Sequence, residues 1–265
     1  MLKRAISGAV FVTLLVFSII YNQYSFLALF FLFMIISVFE MSKMLQLKNK
    51  ANYAIATLLF VYQLDFIDSS AALLLEAATT ISIVLLFIQQ LFKKESEAIK
   101  DLGKIALSII YGCVPFIFLS KITLLTGIFQ SSILIGVFLL IWSSDTFAYL
   151  TGVSIGKHKL LERISPKKTI EGLLGGIIAT MIVAYFLSKY IELLSAMQWI
   201  VTGIIVSIFG VLGDLIASMF KRQTGVKDTG KIIPGHGGVI DRLDSIIFVA
   251  PIIYYYLKIT LENVS

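Results

Sequence analysis

Long, nearly continuous apolar runs constrain this chain more than any other feature. They occupy residues 5 to 21, 24 to 42, 51 to 64, 71 to 92, 104 to 120, 131 to 152, 170 to 190, 197 to 220 and 245 to 262. A helix that is oily all round cannot lie on the surface of a soluble core, and runs of about 17 to 25 residues match the hydrocarbon thickness of a bilayer. No stretch of about ten residues sustains the polar and apolar alternation of a membrane barrel strand. Composition agrees, with 58% hydrophobic and 14% charged residues and a mean hydropathy of +0.94, outside the soluble range. The expectation is all-α: a polytopic integral membrane helical bundle of about nine transmembrane helices. The third run, Ala51 to Leu64, is short for a core of about 30 Å and also fits a re-entrant or interfacial piece.

Charge orients the bundle. If all nine runs span, 19 of the 22 basic residues, Lys3, Arg4, Lys93 and Lys94 among them, fall on one side, and Lys121, Lys189 and Lys258 on the other. The positive-inside rule then makes the N-terminus cytoplasmic. Lys3 and Arg4 ahead of an apolar run resemble the start of a signal peptide, but no small-x-small site precedes Tyr21 and Asn22, so the segment is expected to stay as the first helix. The net charge of +6 is concentrated where anionic headgroups and nucleotides are found, and nucleic acid is not expected as a partner. The lone cysteine, Cys113, is expected to be a small buried residue. The chain is one integral membrane domain, 1–265. Its N-terminal helices, 1–130, serve as scaffold or lipid-facing surface, and 131–265 carries the catalytic helices and loops.

Two cytoplasmic loops are more polar than topology requires. In 152–172, Lys157, Lys159 and Arg163 fit an anchor to anionic lipid. Ser165 and Pro166 predict a turn into the next helix, with Glu171 in its first turn. Lys167 and Lys168, beside Thr169 at that helix start, add two ammonium charges to free N–H groups, a combination that holds phosphate.

The segment from Ser218 to Asp244 is richer. Asp214, Ser218, Lys221 and Arg222 share one helical face at i, i+4, i+7 and i+8. Gly203, Gly210 and Gly213 before them are packing positions. Asp214 inside an apolar span needs a cation, a water-filled cavity or a partner, and Asp145 in WSSDTFAY is a site residue on the same ground. Glu40, Glu76 and the interfacial Tyr254, Tyr255 and Tyr256 are expected to be structural. Lys227, Asp228 and Lys231 follow, then Gly237 and Gly238, which let backbone amides approach an anion. Asp241 and Asp244 project from one side of a helix beginning near Val239 and can join Asp214 around a hard cation. His236, alone, fits a hydrogen-bond donor to phosphate better than a metal ligand. Interleaved carboxylates and bases of this kind suit metal-assisted transfer at phosphorus.

The segment Ser218, Lys221, Arg222, Lys227, Asp228, Gly230, Pro234, His236, Gly237, Gly238, Asp241, Arg242 and Asp244 resembles the signature of phosphatidate cytidylyltransferases, or CDP-diacylglycerol synthases. The block from Asp145 to Gly172 is similar to the same family's upstream block. The resemblance implies that CTP and phosphatidate are joined into CDP-diacylglycerol and pyrophosphate, in phospholipid biosynthesis, with an active site facing the cytoplasm from a bacterial inner membrane. It implies Asp214 and Asp241 as Mg²⁺ ligands, Asp244 as a third ligand or neighbour, and Lys227 and Asp228 within the catalytic set. Lys221, Arg222, Lys227, Lys231 and Arg242 would meet the triphosphate, and Lys167 and Lys168 the lipid phosphate or the nucleotide. A homodimer and a second, monovalent cation are implied in the same way. A two-tailed lipid also needs a groove open sideways to the bilayer. Two rival expectations stand beside this one. A CTP-dependent polyprenol kinase would need a base, His236 or Asp228. A transporter would interrupt helices in both halves, whereas the polar residues here cluster in one.

Overall fold

The computed structural model describes residues 2–64, 69–91 and 95–262. Lys93 and Lys94, counted above among the basic residues, lie outside them. Helices follow the apolar runs: α1 (Leu2–Tyr21), α2 (Gln23–Met44), α3 (Ala51–Tyr62), α4 (Ser69–Leu91), α5 (Glu95–Gly112), α6 (Val114–Ile122), α7 (Ser131–Ile155), α8 (Ile170–Tyr190), α9 (Ala196–Gln223) and α10 (Ile240–Glu262). Among the described residues, seven spans are long and apolar enough to cross a membrane: α1, α2, α5 continued into α6, α7, α8, α9 and α10. Their outer faces remain apolar, with Val10, Leu14 and Phe17 exposed on α1 and Leu174, Ile178 and Ile182 on α8. Of the two remaining expected spans, α4 shows an apolar stretch from Leu74 to Phe87. At 12 residues, α3 reaches about 18 Å, short of a hydrocarbon core of about 30 Å. Its first turn is tied into the bundle by Asn52, which is fully buried and donates to Ser42 Oγ at 2.7 Å and Ser108 Oγ at 3.0 Å.

The core lies between the two halves of the chain. Within the N-terminal half Phe26 and Phe30 lie tilted by 47° with ring centroids 4.3 Å apart, and across to the C-terminal half Phe118 meets Tyr254 at 5.2 Å. Close crossings are made at glycines. A Cβ on Gly112 would stand 3.0 Å from Val38 Cα, which brings α5 against α2, and one on Gly203 would stand 3.1 Å from Thr180. Cys113 is fully buried, as expected. It marks the break between α5 and α6, where Pro115 has no N–H to offer the carbonyl of Tyr111.

One element departs from the all-helical expectation. Ser165 and Pro166 are not a turn. They begin a strand, β2 (Ser165–Thr169), which pairs antiparallel with β1 (Lys159–Leu161), Lys159 opposite Thr169 and Leu161 opposite Ser165. The reversal falls instead at 162–164, because Ile164 is buried against Val211 and Leu215 of α9 and pins the tip. In a two-stranded hairpin every strand is an edge, so Pro166 is tolerated. Thr169 then caps α8, its hydroxyl accepting from Gly172 N at 3.1 Å, and Glu171 sits in the first turn as expected. Its carboxylate accepts from Lys157 N at 3.0 Å and His158 N at 3.2 Å, closing the base of the hairpin.

Candidate active site

The ends of α7, α9 and α10, with β2, bring the predicted charges together. On α9, Ser218 Oγ donates to Asp214 Oδ1 one turn earlier at 3.2 Å. Lys168 of β2 reaches Asp214 Oδ2 at 2.6 Å. A turn beyond Ser218, Lys221 crosses to Asp241 Oδ1 on α10 at 2.8 Å. The other oxygen of Asp241 accepts from Thr229 N at 2.7 Å, Thr229 Oγ1 at 3.0 Å and Gly238 N at 3.0 Å. The packing role expected of Gly213 holds: a Cβ there would lie 2.6 Å from Asp244 O and 2.8 Å from Phe248 Cβ. That close crossing of α9 and α10 sets Asp244 within the field of Asp214 and Lys221. Asp145 on α7 feels the charges of Lys168 and Asp214.

Beside these groups opens a cleft of about 600 Å³. Asp145, Lys159, Lys167, Lys168 and Asp214 are its charged lining, and Tyr149, Val153, Leu160 and Leu173 line its apolar part. Tyr149 and Val153 are among the most exposed residues of α7, so the apolar part opens on the outer face of the bundle.

Other expected site residues are placed differently. The three aspartates are not gathered as one ligand set: among the described residues no three His, Cys, Asp or Glu side chains stand together in that way. Spacing on a helix fixes which residues share a side but not their nearest partner, and here the nearest partners of Asp214 and Asp241 are lysines. Nor do the amides after Gly237 form an open anion cradle. Gly238 N is taken by Asp241, while Val239 N and Ile240 N donate to the Glu40 carboxylate, each at 3.0 Å. Gly237 is required by its left-handed backbone, φ +88°. The hydroxyl of Thr169 serves as the cap described above.

His236 turns toward α1. Its Nδ1 lies 2.8 Å from Ser7 Oγ, which is also 2.8 Å from Pro234 O. The arrangement that satisfies both has Ser7 donating to Pro234 and His236 Nδ1–H donating to Ser7, which leaves Nε2 an acceptor. Burial, with Arg242 and Arg4 nearby, holds the imidazole below the ordinary histidine pKa. In that tautomer the ring has no N–H left for phosphate. Lys167, which lines the cleft, and Arg222, Lys227, Asp228, Lys231 and Arg242 are exposed, with Arg242 Nε donating to His236 O at 3.1 Å.

Three residues at the site were not among the expected site residues. Glu40 on α2 is fully buried, and besides the two amides it accepts from Thr229 Oγ1 at 2.9 Å. An acid inside an apolar run was signal enough, by the rule that singled out Asp214 and Asp145. Thr229 lies within the signature but was passed over for its charged neighbours. Tyr111 on α5 gave no signal. Its hydroxyl is buried without a hydrogen-bond partner, within the field of Asp244, Asp214 and Asp241.

Comparison with known proteins shows the family. The chain is 31% identical over 271 residues to the phosphatidate cytidylyltransferase of Bacillus subtilis, covering 98% of each chain. It is 50% identical over 118 residues to that of Staphylococcus aureus strain COL, covering 44% of this chain and 45% of the relative. The Staphylococcus haemolyticus protein of the same name is 50% identical over 117 residues, with the same coverage. Residues 2–260 match the model of the cytidylyltransferase family, and the match runs through both halves of the bundle that meet at the aspartates: the chain belongs to that family.

Proposed function

We propose that this chain is a phosphatidate cytidylyltransferase, joining CTP to phosphatidate with release of pyrophosphate to give CDP-diacylglycerol. The observation that carries the proposal is the cleft beside α7, charged where Lys168, Asp214 and Asp145 meet and apolar where it opens outward. Such a cavity matches a molecule with a phosphate at one end and acyl chains at the other. The names of the relatives point the same way.

The lipid phosphate is already ionised near pH 7, so it needs no strong general base. One of its oxygens forms a bond to the α-phosphorus of CTP. The bond from that phosphorus to the α,β-bridging oxygen breaks, and pyrophosphate leaves with the electron pair. Lys168 and Lys167 hold the lipid phosphate at the charged part of the cleft. The exposed Arg222, Lys227, Lys231 and Arg242 bind the triphosphate and neutralise the charge that grows on the leaving group.

Asp214, Asp241 and Asp244 are the residues that would hold Mg²⁺. What favours a divalent cation is the chemistry of the donor set rather than its arrangement in this structure, where Lys168 and Lys221 hold Asp214 and Asp241: the four carboxylates Asp145, Asp214, Asp241 and Asp244 outnumber those two lysines by two. Asp244 has no lysine or arginine as an ion-pair partner among the described residues, and the Tyr111 hydroxyl is buried unpaired. When bound, Mg²⁺ supplies charge neutralisation at the phosphate oxygens. A second, monovalent cation, a homodimer, and a site on the cytoplasmic face of a bacterial inner membrane belong to the same proposal.

The test uses purified protein with Mg²⁺, phosphatidate and CTP labelled at the α or the γ phosphate. Incorporation of α label into lipid, lost in a folded Asp241→Asn variant, is the expected result. Transfer of γ label to phosphatidate or a polyprenol would make the chain a kinase, and no transfer of either would refute the enzymatic reading.

A further inference from the structure

We infer that Glu40 is a positioning residue for this site. From the N-terminal half it fixes the backbone of the glycine-rich segment between α9 and α10, and so the placement of Asp241. The inference rests on the proposal that Asp241 holds a divalent cation.

Both ends of that segment close on the Glu40 carboxylate. At one end Thr229 Oγ1 lies 2.9 Å from Oε2, and at the other Val239 N and Ile240 N donate to Oε1 and Oε2. Glu40 thus occupies the N-terminus of α10, where a phosphate would otherwise be expected. The glycines confirm how tightly the segment is wrapped. A Cβ on Gly230 or on Gly238 would run into the Glu40 carboxylate. Neither has the positive φ that would require glycine for conformational reasons. They are glycine to make room for Glu40.

Thr229 connects this clamp to the candidate ligand. Its hydroxyl is 2.9 Å from Glu40 and 3.0 Å from Asp241. With one proton it serves one carboxylate at a time, while Thr229 N and Gly238 N hold Asp241 from the same two stretches of backbone. Loss of Glu40 would therefore release Asp241 without touching it. Gly112, packed on Val38, sets α5 against α2 two residues from Glu40 and one from Tyr111, so the same crossing delivers both residues to the site.

The test compares full-length wild type, Glu40→Gln, Glu40→Ala, Gly238→Ala and the Glu40→Ala/Gly238→Ala double variant. Three quantities are read: apparent Tm, the affinity for Mn²⁺ from the EPR signal of the free ion, and α-label transfer. Glu40→Gln is expected to weaken Mn²⁺ binding about 10-fold to 100-fold, as losses of residues that orient metal ligands do. Gly238→Ala should be damaging alone but add nothing to Glu40→Ala, since its clash partner is gone. Unchanged Mn²⁺ affinity in a destabilised Glu40→Gln protein would reduce Glu40 to a helix cap. Equal damage from Gly238→Ala in both backgrounds would refute the clamp. If wild type transfers no α label while Glu40→Gln still weakens Mn²⁺ binding, the positioning role stands and the proposed reaction fails.

Discussion

The two lysine–aspartate pairs have similar distances and should have very different strengths. Lys221 and Asp241 are 2.8 Å apart with side chains 15% and 5% exposed, whereas Lys168 and Asp214 are 2.6 Å apart at 24% and 34%. At an effective dielectric of about 20, two unit charges at the first distance attract by about 6 kcal/mol. Desolvation takes back a large share, leaving an expected coupling of about 3 kcal/mol. The second pair is open to solvent and should be worth about 0.5 to 1 kcal/mol. Two double-mutant cycles measure this in detergent-solubilised protein: Lys221→Met with Asp241→Asn, and Lys168→Met with Asp214→Asn. The first coupling should appear as about 6 to 12 °C in apparent Tm, the second as no more than about 4 °C. A coupling for Lys221 and Asp241 no larger than that for Lys168 and Asp214 would refute the reasoning. The difference has a functional consequence. Lys168 can leave its aspartate for a phosphate at small cost, while Lys221 is held in place.

Tyr111→Phe removes a buried, unsatisfied hydroxyl, so stability should stay within about 0.5 kcal/mol or improve, while α-label transfer drops by about 10-fold or more if the hydroxyl meets a bound ligand. Unchanged transfer would mean that it meets none. For His236, whose folded pKa lies below its unfolded value, the unfolded chain binds more protons between the two. Its contribution to stability is therefore complete above the unfolded pKa of about 6.5 and is lost as pH falls below that value. Apparent Tm should decline from pH 7 to pH 5, with a shallower slope in His236→Gln; equal slopes would contradict the assignment. KM for CTP should rise with salt, because exposed cations are screened over about 10 Å at 0.1 M. An insensitive KM would indicate buried or backbone recognition.

The bundle was legible because oil declares itself locally. Spans seven to nine of the sequence became α8, α9 and α10 with starts within a few residues, and the i, i+4 relation of Asp214 and Ser218 became a hydrogen bond. What failed depends on distant contacts. Nothing in SPKKT says strand; Ile164 seated between Val211 and Leu215 does. Nothing in the spacing of Asp241 and Asp244 says that one turns back into its own loop, onto Gly238 N and Thr229, while the other lies within the field of Asp214. Glu40 reaches partners about 190 to 200 residues away in sequence, so hydropathy could mark it as out of place but not say what it held.

The fate of the amides decides how the site can recognise phosphate. A glycine-rich loop leading into a helix normally offers its N–H groups to an anion. Here the N–H groups of Gly238, Val239 and Ile240 are all spent on Asp241 and Glu40. Turned inward, they stabilise two buried carboxylates instead of a ligand. The groups left for a phosphate are side chains: Lys168, in a solvent-screened pair, and the exposed Arg222, Lys227, Lys231 and Arg242. The acids and the bases of the signature thus have separate tasks. The carboxylates and glycines hold one another in the fold, while Arg222, Lys227 and Lys231 stay exposed to solvent.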